Sequence, residues 1–231
     1  MRPDGPASRE AGAAQPAAVA DSDMQITLAK DDHEDTAFAA SRSREADRFI
    51  PQGMAEGAPR QRDAVRALQE LRLEERLIRY SPRLVGTVPI GIDVAGSDLD
   101  VICEVADLAA WCGELQQLFG HLDEYRCSEP DGAVATVNFT YDGWEIELFG
   151  QNRPTDEQNG YRHMVVEERI LRLLPEAERE RLRSWKAQGI KTEPAFARLL
   201  KLPGDPYEAM LCLWEETDEE LMRRIRGRTS P

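Results

Sequence analysis

Asp98 and Asp100 stand two residues apart at the mouth of a β-rich run, Leu-Asp-Val-Ile-Cys-Glu-Val at 99–105. In a strand, residues i and i+2 point to the same side, about 6.5–7 Å apart along the chain. Leu99 and Val101 then face the core while both carboxylates face away from it. Two anions held that close repel each other, and taking them out of water is costly without an opposing charge. A divalent cation with oxygen ligands supplies that charge. Mg²⁺ keeps several waters and shares itself between carboxylates and substrate phosphates. A third acid comes later, in Trp144-Glu-Ile-Glu-Leu148. Glu147 is the candidate, with Glu145 as the alternative on the same strand face. Upstream, the apolar pair Leu84-Val85 stops at Gly86-Thr87, with ten residues between Thr87 and Asp98. A strand ending in Gly and a small hydroxyl residue can offer backbone N–H groups and a hydroxyl to an anion, and Gly lets a phosphate approach the backbone.

The elements that must position these groups follow from pattern. A helix is expected from about residue 60, with Val65, Leu68, Leu71 and Leu77 or Ile78 at helical spacing and Pro82 closing it. Strands are expected over 83–86 and 99–105. Asp107 caps a helix carrying Leu108, Cys112, Leu115, Phe119 and Leu122, with Gly120 near its end. Asp142-Gly143 between two alternating runs predicts a hairpin. Beyond residue 153 the pattern is helical. Thr155 to Gln158 reads as a capping box before a helix to about Leu174, and Pro175 and Gly189 bracket the next helix. Thr192, Asp205 and Thr217 read as further caps, with Gly227 as a stop. The expected fold class is α/β: a small mixed sheet with flanking helices over 46–152, then a helical region over 153–231. Residues 1–45 are rich in Ala, Pro, Asp, Ser and Glu without a sustained period and are expected to be a disordered tail.

The sequence of apolar-Gly-Thr, spacer, Asp-Leu-Asp-Val and later apolar-Glu-apolar resembles the signature of the DNA polymerase β-type nucleotidyltransferase superfamily. That pattern is apolar-Gly-Gly/Ser, a spacer of similar length, Asp-apolar-Asp/Glu-apolar, and an acid on a later strand. The wider chain, about 55–215, resembles a bacterial family known only as a domain of unknown function, through "GTVPIGID", "AGSDLDVIC", "ELFGQ", "YRHMVVE", "KTEPAFARLLKL" and "GDPYEAML". The resemblance implies the nucleotidyltransferase fold and two Mg²⁺ ions. It implies an NTP such as ATP as substrate, held by Gly86, Thr87, Ser97 and Lys191. Asp98, Asp100 and Glu147 (or Glu145) would bind the metal and activate the acceptor. Thr87 departs from the usual Gly or Ser; it keeps a hydroxyl and adds a methyl.

Composition bounds the reading. The 231 residues carry a net charge of −14, with 41% hydrophobic and 31% charged residues. That acidity argues against a long nucleic-acid acceptor, whose phosphates need a basic face, and leaves a small-molecule or protein acceptor. No segment approaches a membrane span and the first residues lack a secretory apolar region, so a cytoplasmic protein with no membrane partner is expected. Cys103, Cys112, Cys127 and Cys212 form no CxxC pair and read as buried free thiols of a reducing compartment. His163 and Glu167 share a helix face at i, i+4, either as a local hydrogen-bonded pair or as an acceptor-side group. Lys186 and Lys201 are further lysines of the helical region. Gln151, Gln158, Tyr161 and Arg162 follow the third acid and are candidate cavity residues, whereas the four tryptophans read as packing. Two alternatives to an active transferase remain at this point: a non-catalytic nucleotide-binding or regulatory module, and a toxin–antitoxin-like interaction protein. Oligomeric state is not encoded in these features.

Overall fold

Strand alternation dictates the layering of the domain. The computed structural model describes residues 48–128 and 132–227, and the segment expected to be a tail lies outside the described residues. Five strands form one sheet in the order β1-β2-β5-β4-β3: β1 (Arg83–Val85), β2 (Leu99–Glu104), β3 (Asp123–Cys127), β4 (Val134–Tyr141) and β5 (Trp144–Gln151). Only β2 and β5 pair in parallel; the other neighbours are antiparallel. On one sheet face Leu99, Val101, Cys103, Val137, Phe139, Ile146 and Leu148 are buried. They form one apolar cluster with Ala64 and Leu68 of α1 (Pro59–Glu70), with Leu73 and Leu77 of α2 (Leu73–Leu77), and with Trp111, Leu115 and Phe119 of α3 (Leu108–Phe119). Gly150 is small because of this layer: a Cβ there would lie 2.8 Å from the Trp111 ring.

The opposite face carries Val85, Asp100, Ile102, Glu147 and Phe149. Val85 and Ile102 pack with Tyr161 and Met164 of α4 (Asn159–Leu173) in a small seam cluster. Beyond the seam, α4 joins α5 (Glu176–Ala187), α6 (Thr192–Leu200), α7 (Pro206–Leu211) and α8 (Asp218–Gly227) around Val166, Ile170, Phe196 and Met210. The fold class expected from the sequence is the one observed: a small mixed sheet with flanking helices, followed by helices. No helix among the described residues is long and apolar enough to cross a membrane.

Several local expectations hold. Asp142 (φ 48°) and Gly143 (φ 79°) make the hairpin turn. Asp107 accepts from Ala110 N–H at 2.9 Å, and Asp205 accepts from the N–H groups of Tyr207 and Glu208 at 3.0 Å. Thr217 and Glu220 exchange the two bonds of a capping box. Others need correction. The helix expected from residue 60 to Pro82 breaks at Arg72, whose φ of 52° is left-handed. Thr155 caps nothing; its hydroxyl accepts from Arg83 Nε at 2.7 Å, and Gln158 precedes the helix. Lys191 occupies the cap of α6, and the Thr192 hydroxyl faces the Lys186 ammonium. β3 was not expected: its exposed, charged residues lack the alternation of a half-buried strand. The cysteines are free, as expected, yet only Cys103 is fully buried, and Cys127 and Cys212 are exposed.

Candidate functional site

Register brings the acids together. In the antiparallel β1–β2 pair Val85 lies opposite Asp100, so the Gly86-Thr87 turn that ends β1 lies beside the start of β2. In the parallel β2–β5 pair Asp100 lies opposite Glu147, on strands about 4.8 Å apart. These groups open on a cavity of about 780 Å³ between the sheet and the helices. Gly86, Thr87, Ser97, Asp98, Asp100, Glu147 and Lys191 all line it. Glu145 does not. It sits one residue before the β2 pairing begins and forms an ion pair with Arg126 at 3.0 Å. Gln151, Gln158 and His163 also line the cavity, whereas Tyr161 is taken up in the seam cluster and Arg162 lies over the Trp214 ring.

Gly86 is required twice over. Its φ of 81° is left-handed, a conformation that suits glycine. A Cβ there would lie 2.2 Å from Asp100 Oδ2, so the turn and the carboxylate are in contact. Burial, then the charges of Asp98, Glu147 and Glu193, push the Asp100 carboxyl from 3.8 up to about 7, against the pull of Lys191. Burial, then Asp98 and Glu145, also raise Glu147. Burial and mutual repulsion thus both oppose ionisation of these acids, which either a proton or a cation relieves.

The loop from Gly86 to Asp98 is braced by α1, a feature with no signal in the sequence because the partners lie about thirty residues apart. Arg60 lies 2.7 Å from Asp93 Oδ2, donates to the Ser97 carbonyl at 3.0 Å, and sits 4.1 Å over the Trp144 ring. Gln61 Nε2 donates to the carbonyls of Val88 and Pro89 at 2.9 and 3.0 Å. The Ser97 hydroxyl accepts from Val94 N–H at 3.0 Å and closes the turn before Asp98.

The helical wall adds Glu193, which pattern alone did not single out. Glu193, in the first turn of α6, lies 3.3 Å from His163 Nδ1, and His163 Nε2 lies 3.1 Å from the Tyr207 carbonyl. Burial works to raise Glu193, but hydrogen bonds from His163 and its own backbone N–H outweigh it and hold the carboxyl below its usual range. Burial lowers the Lys186 ammonium, against the charges of Glu167, Glu193 and Asp93. His163 thus bonds across to α6 and α7 rather than to Glu167.

The donor set suits a hard cation. Among the described residues no group of three or more His, Cys, Asp or Glu side chains is arranged to hold a metal ion by itself. The carboxylate oxygens of Asp98, Asp100 and Glu147 are the donor type that a hard cation such as Mg²⁺ takes.

The fold and the site thus define a mixed α/β domain with an acid-lined cavity where a glycine turn meets its central strands. Residues 66–213 match the family described as a domain of unknown function (DUF4269), and the chain belongs to that family. No curated protein matches the chain. Ten solved chains are similar, among them the following two. One is described as the polymerase core of TRAMP, an RNA surveillance complex, with a TM-score of 0.42 and 13% identity over 74% of this chain. The chain spans 58% of that protein's length. The other is the GLD-2/RNP-8 complex, with a TM-score of 0.41 and 12% identity, covering 77% of this chain and 78% of that one.

Proposed function

We propose that the protein is a Mg²⁺-dependent nucleotidyltransferase that moves a nucleoside monophosphate from an NTP to the hydroxyl of a small-molecule or protein acceptor. The observation that carries this reading is the convergence of the Gly86-Thr87 turn, Asp98, Asp100 and Glu147 on one cavity. The Thr87 hydroxyl and the N–H groups of the turn orient a phosphate. Lys191, at the N-terminus of α6, offers a cation and a helix end to the same anion. Asp98, Asp100 and Glu147 would hold the metal, which when bound stabilises the attacking and leaving oxygens of an in-line displacement. Glu147, half-buried with a raised carboxyl, is suited to accept the proton of the acceptor hydroxyl. The acidic surface supports a small or protein acceptor over a long nucleic acid.

The test is pyrophosphate release from each labelled NTP with Mg²⁺, comparing wild type with Asp98→Asn/Asp100→Asn. Release by the wild type and a loss of at least about a hundredfold in the double variant is expected, the size typical of removing a group that stabilises transition-state charge. Glu147→Ala should share the loss and Glu145→Ala should not. NTP binding without release in either protein would replace the enzyme with a nucleotide sensor.

A further inference from the structure

Two cysteines meet on the face of the sheet away from the cavity. Residues 120–122 alone join α3 to the edge strand β3, so the chain doubles back and the strand runs antiparallel to the helix. From Phe119 back to Cys112 the helix rises about 10 Å at 1.5 Å per residue. From Asp123 to Cys127 the strand advances about 13 Å at 3.3 Å per residue, and the bulge between Asp123 and Arg126 shortens that path. Cys112 in the helix and Cys127 at the strand's end are thereby brought level. Register sets which way Cys127 faces. It lies opposite Val137 in the antiparallel β3–β4 pair, and residues directly opposite project to the same face. Val137 is buried in one cluster with Trp111 and Leu115 of α3, and Cys112 and Tyr125 pack against that cluster. Cys112 lies within hydrogen-bonding reach of the Cys127 sulfur, and Cys127 Sγ donates to the Ser128 carbonyl at 3.4 Å.

The pair is unequal. Cys127 is exposed and Cys112 is half-buried. Burial, then the bond to Cys127, pushes the Cys112 thiol up to about 12. An oxidant arriving from solvent therefore meets Cys127 first, and Cys112 stands behind it as a protonated thiol. The other two cysteines are elsewhere. Cys103 is buried on β2, three strands from β3 in the sheet order, about 14 Å away at the usual strand spacing. Cys212 follows α7 among the C-terminal helices.

We propose that Cys112 and Cys127 form a peroxide-driven disulfide that staples the edge strand β3 to α3. The Cys127 thiolate attacks one oxygen of hydrogen peroxide. An S–O bond forms, the O–O bond breaks, and hydroxide leaves to take up the Cys127 proton as water. The Cys112 sulfur then attacks the Cys127 sulfur. The S–S bond forms, and the sulfenic hydroxyl leaves as water with the Cys112 proton. Two thiols lose two electrons and one peroxide is reduced to two waters. The bond closes residues 112–127 into a loop, which restricts the unfolded chain, and it ties down a strand at the end of the sheet order. The staple stands apart from the cavity and does not depend on the transfer reading.

The experiment treats the full chain with a small excess of hydrogen peroxide, blocks the remaining thiols with N-ethylmaleimide in denaturant, and maps the peptides by mass spectrometry. In the wild type a peptide pair joining Cys112 to Cys127 within one chain is expected, two hydrogens lighter than its reduced parts. The oxidised protein should melt roughly 6–12 °C above the reduced one, the rise that closing a loop of this length gives, and dithiothreitol should cancel it. Cys112→Ser should leave Cys127 as a sulfenic acid that dimedone captures, with no rise in Tm. Cys127→Ser should leave Cys112 open to N-ethylmaleimide after the same treatment. Melts of the reduced variants check that each is folded, and the wild-type map stands without them. A Cys112 that still takes N-ethylmaleimide in the oxidised wild type would overturn the staple. So would a Cys127 linked to Cys212 or to a second copy, or an oxidised wild type that melts no higher than the reduced protein.

Discussion

Replacing Gly86 by alanine separates the contact with Asp100 from the ordinary cost of a left-handed backbone. Gly86 and Gly96 share nearly the same φ, 81° and 82°. A Cβ at Gly96 meets nothing within 4 Å, whereas one at Gly86 would lie 2.2 Å from Asp100 Oδ2. Both substitutions pay for the left-handed conformation, roughly 1–2 kcal/mol. Gly86→Ala must also drive the Asp100 side chain off its rotamer, about 0.5–1.5 kcal/mol more. The total is about 1.5–3.5 kcal/mol for Gly86→Ala, a fall of roughly 3–14 °C in Tm for a domain of this size. Thermal melts in EDTA read that term. Titration with Mg²⁺ and NTP reads the site, where Gly86→Ala should lose binding and Gly96→Ala should retain it. Equal losses in the two variants, in stability and in binding, would refute the claim that the turn and the carboxylate are in contact.

Two further outcomes follow from the same geometry. Asp100 rises from 3.8 to about 7 in the fold, so the native state holds its proton more tightly than the unfolded chain. Its stabilising contribution is complete below pH 3.8 and is lost as pH climbs through 7, by at most about 4 kcal/mol at 1.36 kcal/mol per pH unit. In EDTA, Asp100→Asn should therefore melt above the wild type at pH 8 and level with it near pH 4; a pH-independent difference would contradict this. Arg60→Ala removes the bridge to Asp93 and the Ser97 carbonyl. Because its side chain is 41% exposed, the fold should lose only about 1 kcal/mol. NTP affinity should fall further than stability, and Arg60→Lys should not restore it, since one ammonium cannot span both acceptors and stack on Trp144.

The sequence was most informative where chemistry and periodicity coincided. The Asp142-Gly143 turn and the alternation of β5 each have a local physical cause, and each is found. Register is not local. Glu145 and Glu147 share a strand face, and only the pairing of Asp100 with Glu147 and of Glu145 with Arg126 separates them. β3 escaped because an exposed edge strand of Asp, Glu and Arg buries too little to show a pattern. Arg72 escaped because nothing in an Arg side chain marks a left-handed residue. The Glu167–Glu193–Lys186 grouping arises from three helices meeting, and spacing along the chain carries no trace of it. His163 and Glu167 did lie on one helix face, but the partner of His163 is on another helix.

The bracing loop has one more consequence. Val88 is buried in the apolar cluster under the sheet, and Ile92, four residues on, is buried in the cluster of the C-terminal helices. Between those clusters lies the seam of Val85, Ile102, Tyr161 and Met164, with Ile90, Phe149, Val165 and Trp214 packed against it. A seam that small is where the chain parts at least cost, since opening free energy follows the apolar area exposed. The stretch joining Thr87 to Asp98 is thereby riveted to both halves. Any breathing of the helices away from the sheet pulls on the segment between the two rivets, so the spacing of the Gly86-Thr87 turn and Asp98 is a gauge of whether the cleft is shut.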